Sequence, residues 1–168
     1  RFLNRVFSLV ENMPSTFSER INDKEKALIS KVHSTIKNVT EFVEEFRLSL
    51  AIGAVMELVN DVQKYKESSA VNESVYNEAV RNIVLLISPF APHVAEEMWE
   101  LLGNKEFVSV EKWPKCDEKK IDLKAEAVQE VIANTISDIR NVIELTKIAP
   151  RKINLIVARE WKYKLYEV

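Results

Sequence analysis

Ser88-Pro-Phe-Ala-Pro-His-Val-Ala-Glu-Glu-Met-Trp-Glu-Leu-Leu-Gly103 sets two prolines three residues apart, between an apolar run and an acidic amphipathic one. Pro89 ends the preceding helix at or near Ser88, because a proline ring disfavours helical geometry in the residue before it. Pro92 suits a first helical turn, where its missing N–H has no intrahelical partner to lose. The pair therefore predicts a sharp helix–kink–helix corner with Phe90 as a plug between the two prolines. Beyond the corner, Val94, Met98, Leu101 and Leu102 are expected on a buried stripe with Ala95 and Trp99 beside it. The acids favour the positive start of the helix, and Gly103 can close it in a left-handed cap.

A competing reading of the same stretch is metallic. His93-Val-Ala-Glu96-Glu97 differs by one residue from the His-x-x-Glu-His zinc-protease signature, in which two histidines on one helical face hold the ion. Glu97 stands where the second histidine belongs, and it points about 100° away from Glu96 on a helix. The only other histidine is His33, and no second Glu-x-x-His supports a carboxylate-bridged di-iron site. No metal ligands are assigned, and His93 is expected to cap or hydrogen-bond.

Working outward, the apolar residues recur at helical spacing. Phe2, Val6, Leu9 and Val10 predict a first helix that ends near Asn12, ahead of Pro14. Lys24–Phe46 predicts the second, with Leu28, Val32, Ile36, Val39, Phe42, Val43 and Phe46 on one face and Lys31, Lys37, Glu41 and Glu45 on the other. Ala51, Val55, Leu58, Val62 and Tyr65 carry the pattern through Leu48–Tyr65, and Lys66–Ala70 is polar enough to be its exit loop. Asn72 is placed to cap a fourth helix, whose seam is Val75, Ala79, Ile83 and Leu86, widened by Val80, Val84 and Ile87.

After Gly103 the stretch Asn104–Leu123 is irregular and reads as a surface connection across the end of the bundle, with Trp113 pinned to the core. A last long helix runs from Leu123 to about Ile148, marked by Val128, Val131, Ile132, Ile136, Ile139, Val142, Ile143 and Thr146. The period then changes. Ile153-Asn-Leu-Ile-Val157 is rich in β-branched residues and predicts a strand, which needs partners for its backbone groups. Residues 1–148 are thus expected to form a helical bundle and 149–168 the start of a truncated α/β module.

The composition agrees with a helix-rich globule: 168 residues, 46% hydrophobic, 30% charged and only two glycines. Cys116 is the single cysteine, which excludes an intramolecular disulfide and a Cys-rich zinc site and makes a reducing cytoplasm the default. No apolar run approaches the roughly 20 residues of a membrane span. The chain opens on Arg1 rather than Met and is expected to be a piece of a longer polypeptide. Its net charge of −2 conceals an asymmetry: residues 1–139 carry 17 Lys/Arg against 23 Asp/Glu, whereas 140–168 carry 7 against 3. The bundle is acidic and the tail basic.

Pro89-Phe-Ala-Pro-His-Val-Ala-Glu-Glu-Met-Trp99, followed by Trp113-Pro114, resembles the helical anticodon-binding domain of class I aminoacyl-tRNA synthetases. In the leucyl, isoleucyl and valyl members a Pro-Phe-x-Pro corner leads to a Glu-Glu-x-Trp helix and then to a Trp-Pro pair. The leucyl member in its archaeal form fits best, through Arg1-Phe-Leu-Asn-Arg-Val6, Pro92-His93 and the junction Lys147-Ile-Ala-Pro-Arg-Lys-Ile-Asn-Leu-Ile-Val-Ala-Arg-Glu-Trp-Lys162. The resemblance implies a mainly α fold: an antiparallel helix bundle of the class I synthetase anticodon-binding type, with a short strand-containing C-terminal extension. It makes Pro89, Phe90, Pro92, His93, Trp99 and Trp113 structural corner residues.

The family's activation of an amino acid by ATP uses His-Ile-Gly-His and Lys-Met-Ser-Lys-Ser type motifs, and neither is in this sequence. The resemblance therefore implies that ATP and magnesium serve a catalytic domain of the parent leucine-tRNA ligase, and that this stretch holds no catalytic residue and no cofactor. It implies tRNA(Leu) and that catalytic domain as partners, with no membrane and no DNA. RNA contact needs cations for phosphates and planar groups for splayed bases. The basic tail supplies both, and Lys147, Arg151, Lys152, Arg159, Trp161, Lys162 and Lys164 are the candidates. Two alternatives stand beside this reading: the same domain of an isoleucyl or valyl enzyme, and a protein-interaction bundle that uses the acidic surface of 1–139.

Overall fold

A computed structural model describes residues 2–14, 18, 21–67, 71–147 and 150–158. Among the described residues six α-helices follow one another: α1 (Phe2–Glu11), α2 (Asp23–Glu44), α3 (Leu48–Lys66), α4 (Glu73–Ile87), α5 (Pro92–Leu101) and α6 (Leu123–Thr146). Two short 3-10 turns, Val108–Val110 and Glu118–Lys120, lie in the connection between α5 and α6. The protein is mainly helical, with no sheet among the described residues. It divides into two compact units, Arg1–Glu130 and Val131–Val168.

The first unit is built on α2, α3 and α4, each of which packs against the other two, with α1 and α5 completing the bundle. Its core contains Leu9, Ile36, Leu58, Tyr76, Ile83, Leu86, Met98 and Trp99, all 2% exposed or less. Helix α4 is the most buried, as its continuous apolar run requires: Ile83 through Ile87 are all buried. Asn72 caps it, its Oδ1 accepting from the Val75 N–H at 3.1 Å.

Several buried polar groups inside this unit are tied together. The Tyr65 hydroxyl donates to Glu25 Oε1 at 2.8 Å and accepts from the Asn72 N–H at 2.7 Å. Glu25 Oε2 in turn accepts from the Asn22 N–H at 2.7 Å, so this 3%-exposed carboxylate has a donor on each oxygen. The Tyr76 hydroxyl reaches the Leu9 carbonyl at 2.8 Å and fastens α1 to α4.

Two expectations need correction, and a third is not shown. Phe46 does not continue the α2 stripe: the helix stops at Glu44, and Phe46 turns the chain at φ 56°, 87% exposed. The three-residue gap before α3, Glu45 to Arg47, turns through a left-handed residue, and no glycine is there to supply it. On α5 the buried residues are Ala95, Met98 and Trp99, while Leu101 is 52% exposed. The buried stripe of α5 thus runs through Ala95, Met98 and Trp99, and Leu101, at the end of the helix, falls outside it. Finally, Ile153–Val157 forms no strand; the segment is exposed, with Ile156 at 97%. Its backbone has no strand to pair with among the described residues, and β propensity alone does not make a strand.

In the second unit, α6 carries no buried residue. Ile139, Val142 and Ile143 of α6 line an open groove of about 500 Å³ together with Pro150, Ile153 and Leu155.

Candidate nucleic-acid interface

The corner follows from the proline arithmetic. α4 ends at Ile87, the Phe90 and Ala91 N–H groups both return to the Ile87 carbonyl at 2.9 and 3.0 Å, and Pro92 is the first residue of α5. Pro89 and Pro92 are exposed while Phe90 is half-buried against the core. His93 is exposed and makes no hydrogen bond among the described residues, so the capping role expected for it is not taken up there. Among the described residues no group of three His, Cys, Asp or Glu side chains is placed to hold a metal ion. Gly103 closes α5 at φ 85°, a left-handed position where a side chain would be strained although space is open.

Trp99 packs inside, and Arg81 of α4 lies over its ring, 4.9 Å from the centroid. Arg81 also pairs with Glu111 at 3.4 Å. Glu96 accepts from the Val108 and Ser109 N–H groups at 2.7 and 3.2 Å. Desolvation pushes its carboxyl up, but these backbone donors outweigh that and hold it below the ordinary carboxylate range. The acid that a metal reading would have made a ligand is a staple for the connection.

The connection itself is held by a polar stripe on α2 that periodicity left unread. Ser30, His33, Ser34, Lys37 and Thr40 recur every three or four residues on one helical face. The Ser30 hydroxyl accepts from the Asp122 N–H at 2.7 Å and donates to Glu126, which Ser34 also reaches at 3.2 Å. His33 Nδ1 accepts from the Asp117 N–H at 3.1 Å. Lys37 Nζ pairs with Glu118 at 2.8 Å, and Thr40 Oγ1 accepts from Trp113 Nε1 at 2.8 Å. Lys37 and Lys31 are therefore not merely solvated, since Lys31 Nζ also lies 3.6 Å from Glu57 on α3.

Of the tail candidates, Lys147 ends α6 at φ 53° and is exposed, as are Arg151 and Lys152. Lys152 lines the groove along α6. Arg159, Trp161, Lys162 and Lys164 lie outside the described residues. Three exposed cations on one short stretch of the second unit form the part of the candidate interface that has described positions.

The model of the anticodon-binding domain of tRNA ligase matches residues 25–156, from the start of α2 to the tail. The chain belongs to this anticodon-binding domain family. Curated relatives of this family member include leucine-tRNA ligases: that of Methanococcus maripaludis is 36% identical over 169 residues, covering 98% of this chain and 18% of its own length. That of Caldanaerobacter subterraneus is 41% identical over 129 residues, covering 73% of this chain and 16% of the relative. Among solved structures, the ternary complex of an Agrobacterium radiobacter LeuRS with tRNA and LeuAMS is similar at a TM-score of 0.58 and 29% identity, over 72% of this chain and 15% of that one. The chain thus spans less than a fifth of the length of these curated relatives. No described helix is long and apolar enough to cross a membrane.

Proposed function

We propose that this domain docks tRNA(Leu) for a leucine-tRNA ligase, supporting ATP-dependent charging by a catalytic domain elsewhere on the parent polypeptide. The carrying observation is the family match across residues 25–156, combined with leucine-tRNA ligases as relatives that align over most of this chain. ATP and magnesium belong to the catalytic domain, and the parent works in the cytoplasm. Residues 1–148 serve as the docking bundle, and 149–168 open an α/β module whose further strands give Ile153–Val157 its partners.

Lys147, Arg151, Lys152, Arg159, Lys162 and Lys164 contact phosphates, and Trp161 stacks on an exposed base. The corner residues Pro89, Phe90, Pro92, Trp99 and Trp113 hold the bundle's shape. The test is charge reversal of Lys162 and Lys164 in the full 168-residue chain, read by filter binding of tRNA(Leu). Weakened binding with an unchanged helical signal is expected; unchanged binding would remove Lys162 and Lys164 from the contacts, and no tRNA binding by the wild-type chain would assign the domain to protein contacts instead.

A further inference from the structure

The first unit carries an excess of acids, so a polyanion can approach it only where that excess is locally cancelled. Along its own sequence, the connection between α5 and the Trp113-Pro114 pair carries more cations than free acids. Glu111 is taken up by Arg81 at 3.4 Å, and Glu118, further along, by Lys37 at 2.8 Å. Lys105, Lys112 and Lys115 are exposed and have no ion-pair partner among the described residues, leaving Glu106 as the only uncompensated acid from 105 to 115. Within this stretch Phe107 is 70% exposed, although Val108 next to it is 2% exposed. The Glu96 carboxylate on the Val108 and Ser109 N–H groups, and Trp113 on Thr40, fix the backbone on both sides. The fold therefore holds an aromatic ring outward, instead of burying it, on a connection that also carries three exposed lysines without ion-pair partners among the described residues.

We propose that this connection is a second RNA contact, in which Lys105, Lys112 and Lys115 take backbone phosphates and Phe107 stacks on an unpaired base. Phe107 and Lys115 are eight residues apart, at most about 28 Å of chain, a span of several nucleotides. Cations flanking an exposed ring are the chemistry of sequence-tolerant single-strand binding. The proposal rests on the tRNA-docking reading and places part of that docking on the bundle rather than on the tail.

The full chain with Lys112→Glu and Lys115→Glu, and separately Phe107→Ala, is compared with wild type and with Lys162→Glu/Lys164→Glu for tRNA affinity across a salt series. Thermal melts check that each variant keeps its fold, which exposed positions are expected to do. The connection double variant should bind about tenfold more weakly at low salt and lower the log–log salt slope by about 1.5, two contacts of roughly 0.7–0.9 each. Phe107→Ala should weaken binding about fivefold or more while leaving the slope in place. If only the tail variant weakens binding, the connection is not an RNA contact although the docking reading stands. If wild type does not bind tRNA at all, both fall.

Discussion

Trp113 Nε1 donates to Thr40 Oγ1 at 2.8 Å, joining the connection after α5 to the middle of α2 across 73 residues of sequence. Thr40 also donates to the Ile36 carbonyl at 2.7 Å, so its hydroxyl is fixed in direction before the indole arrives. Replacing Thr40 with valine keeps the shape and removes the acceptor. Thr40→Val is expected to cost about 1–2 kcal/mol in chemical denaturation, since the half-buried indole N–H loses its partner. In a double-mutant cycle with Trp113→Phe the coupling should be about 1 kcal/mol. Additive effects would mean that the bond contributes nothing.

His33 makes stability depend on pH. Its Nδ1 is an acceptor for the Asp117 N–H, so the neutral ring carries its proton on Nε2, 3.5 Å from Glu78 Oε1. Burial lowers its pKa below the ordinary 6.5, assisted by the Lys120 charge and opposed by Glu78 and Asp117. The unfolded chain then takes up a proton at a higher pH than the folded chain. Stability is full above about pH 6.5 and declines as pH falls from there toward the lowered folded value. Urea midpoints measured from pH 8 to pH 5 should fall more steeply for wild type than for His33→Gln. Equal slopes would show that the ring does not report on the fold.

Tyr65 is shared by a buried carboxylate and a helix start. Burial, with Glu25 beside it, pushes its hydroxyl pKa up to about 12, so it stays a donor at any physiological pH. Tyr65→Phe deprives Glu25 Oε1 of its donor and the Asn72 N–H of its acceptor. A loss of about 2 kcal/mol is expected, within the range for leaving buried polar groups unsatisfied. A change under about 0.5 kcal/mol in the denaturation midpoint would mean that water replaces the hydroxyl at no cost.

Phe46 occupies a left-handed position while 87% exposed, so its ring contributes little burial to offset the backbone cost. Phe46→Gly should leave stability unchanged or raise it by up to about 1 kcal/mol, relief of the strained φ being partly offset by the greater freedom of glycine in the unfolded chain. A clear fall in thermal midpoint would show that the ring packs in solution.

The helices were legible because their cores are amphipathic over several turns, and the corner because proline acts locally on backbone geometry. The α2 polar stripe was hidden for a physical reason. Ser30, His33, Ser34 and Thr40 read as ordinary surface residues until a non-helical connection from 73 to 92 residues away, and the first turn of α6 after it, lie across them. Hydrophobic periodicity identifies which face is buried, not which polar face is covered by a loop. Ile153–Val157 is the opposite case: its composition favours a strand, but none is shown, because pairing depends on partners that the described residues do not supply. Among the candidate RNA contacts, charge asymmetry pointed to the tail. The cations of the connection were invisible there, since Lys105, Lys112 and Lys115 stand among acids whose neutralisation appears only in three dimensions.

The most direct measurement is the affinity of the full chain for tRNA(Leu) between about 50 and 200 mM salt, a range over which phosphate contacts weaken by counterion release. Docking through lysines and arginines predicts a linear fall of log affinity with log salt, with a slope of several contacts. Binding that does not respond to salt, or no binding at the lower concentration, would contradict the assignment of this domain to tRNA.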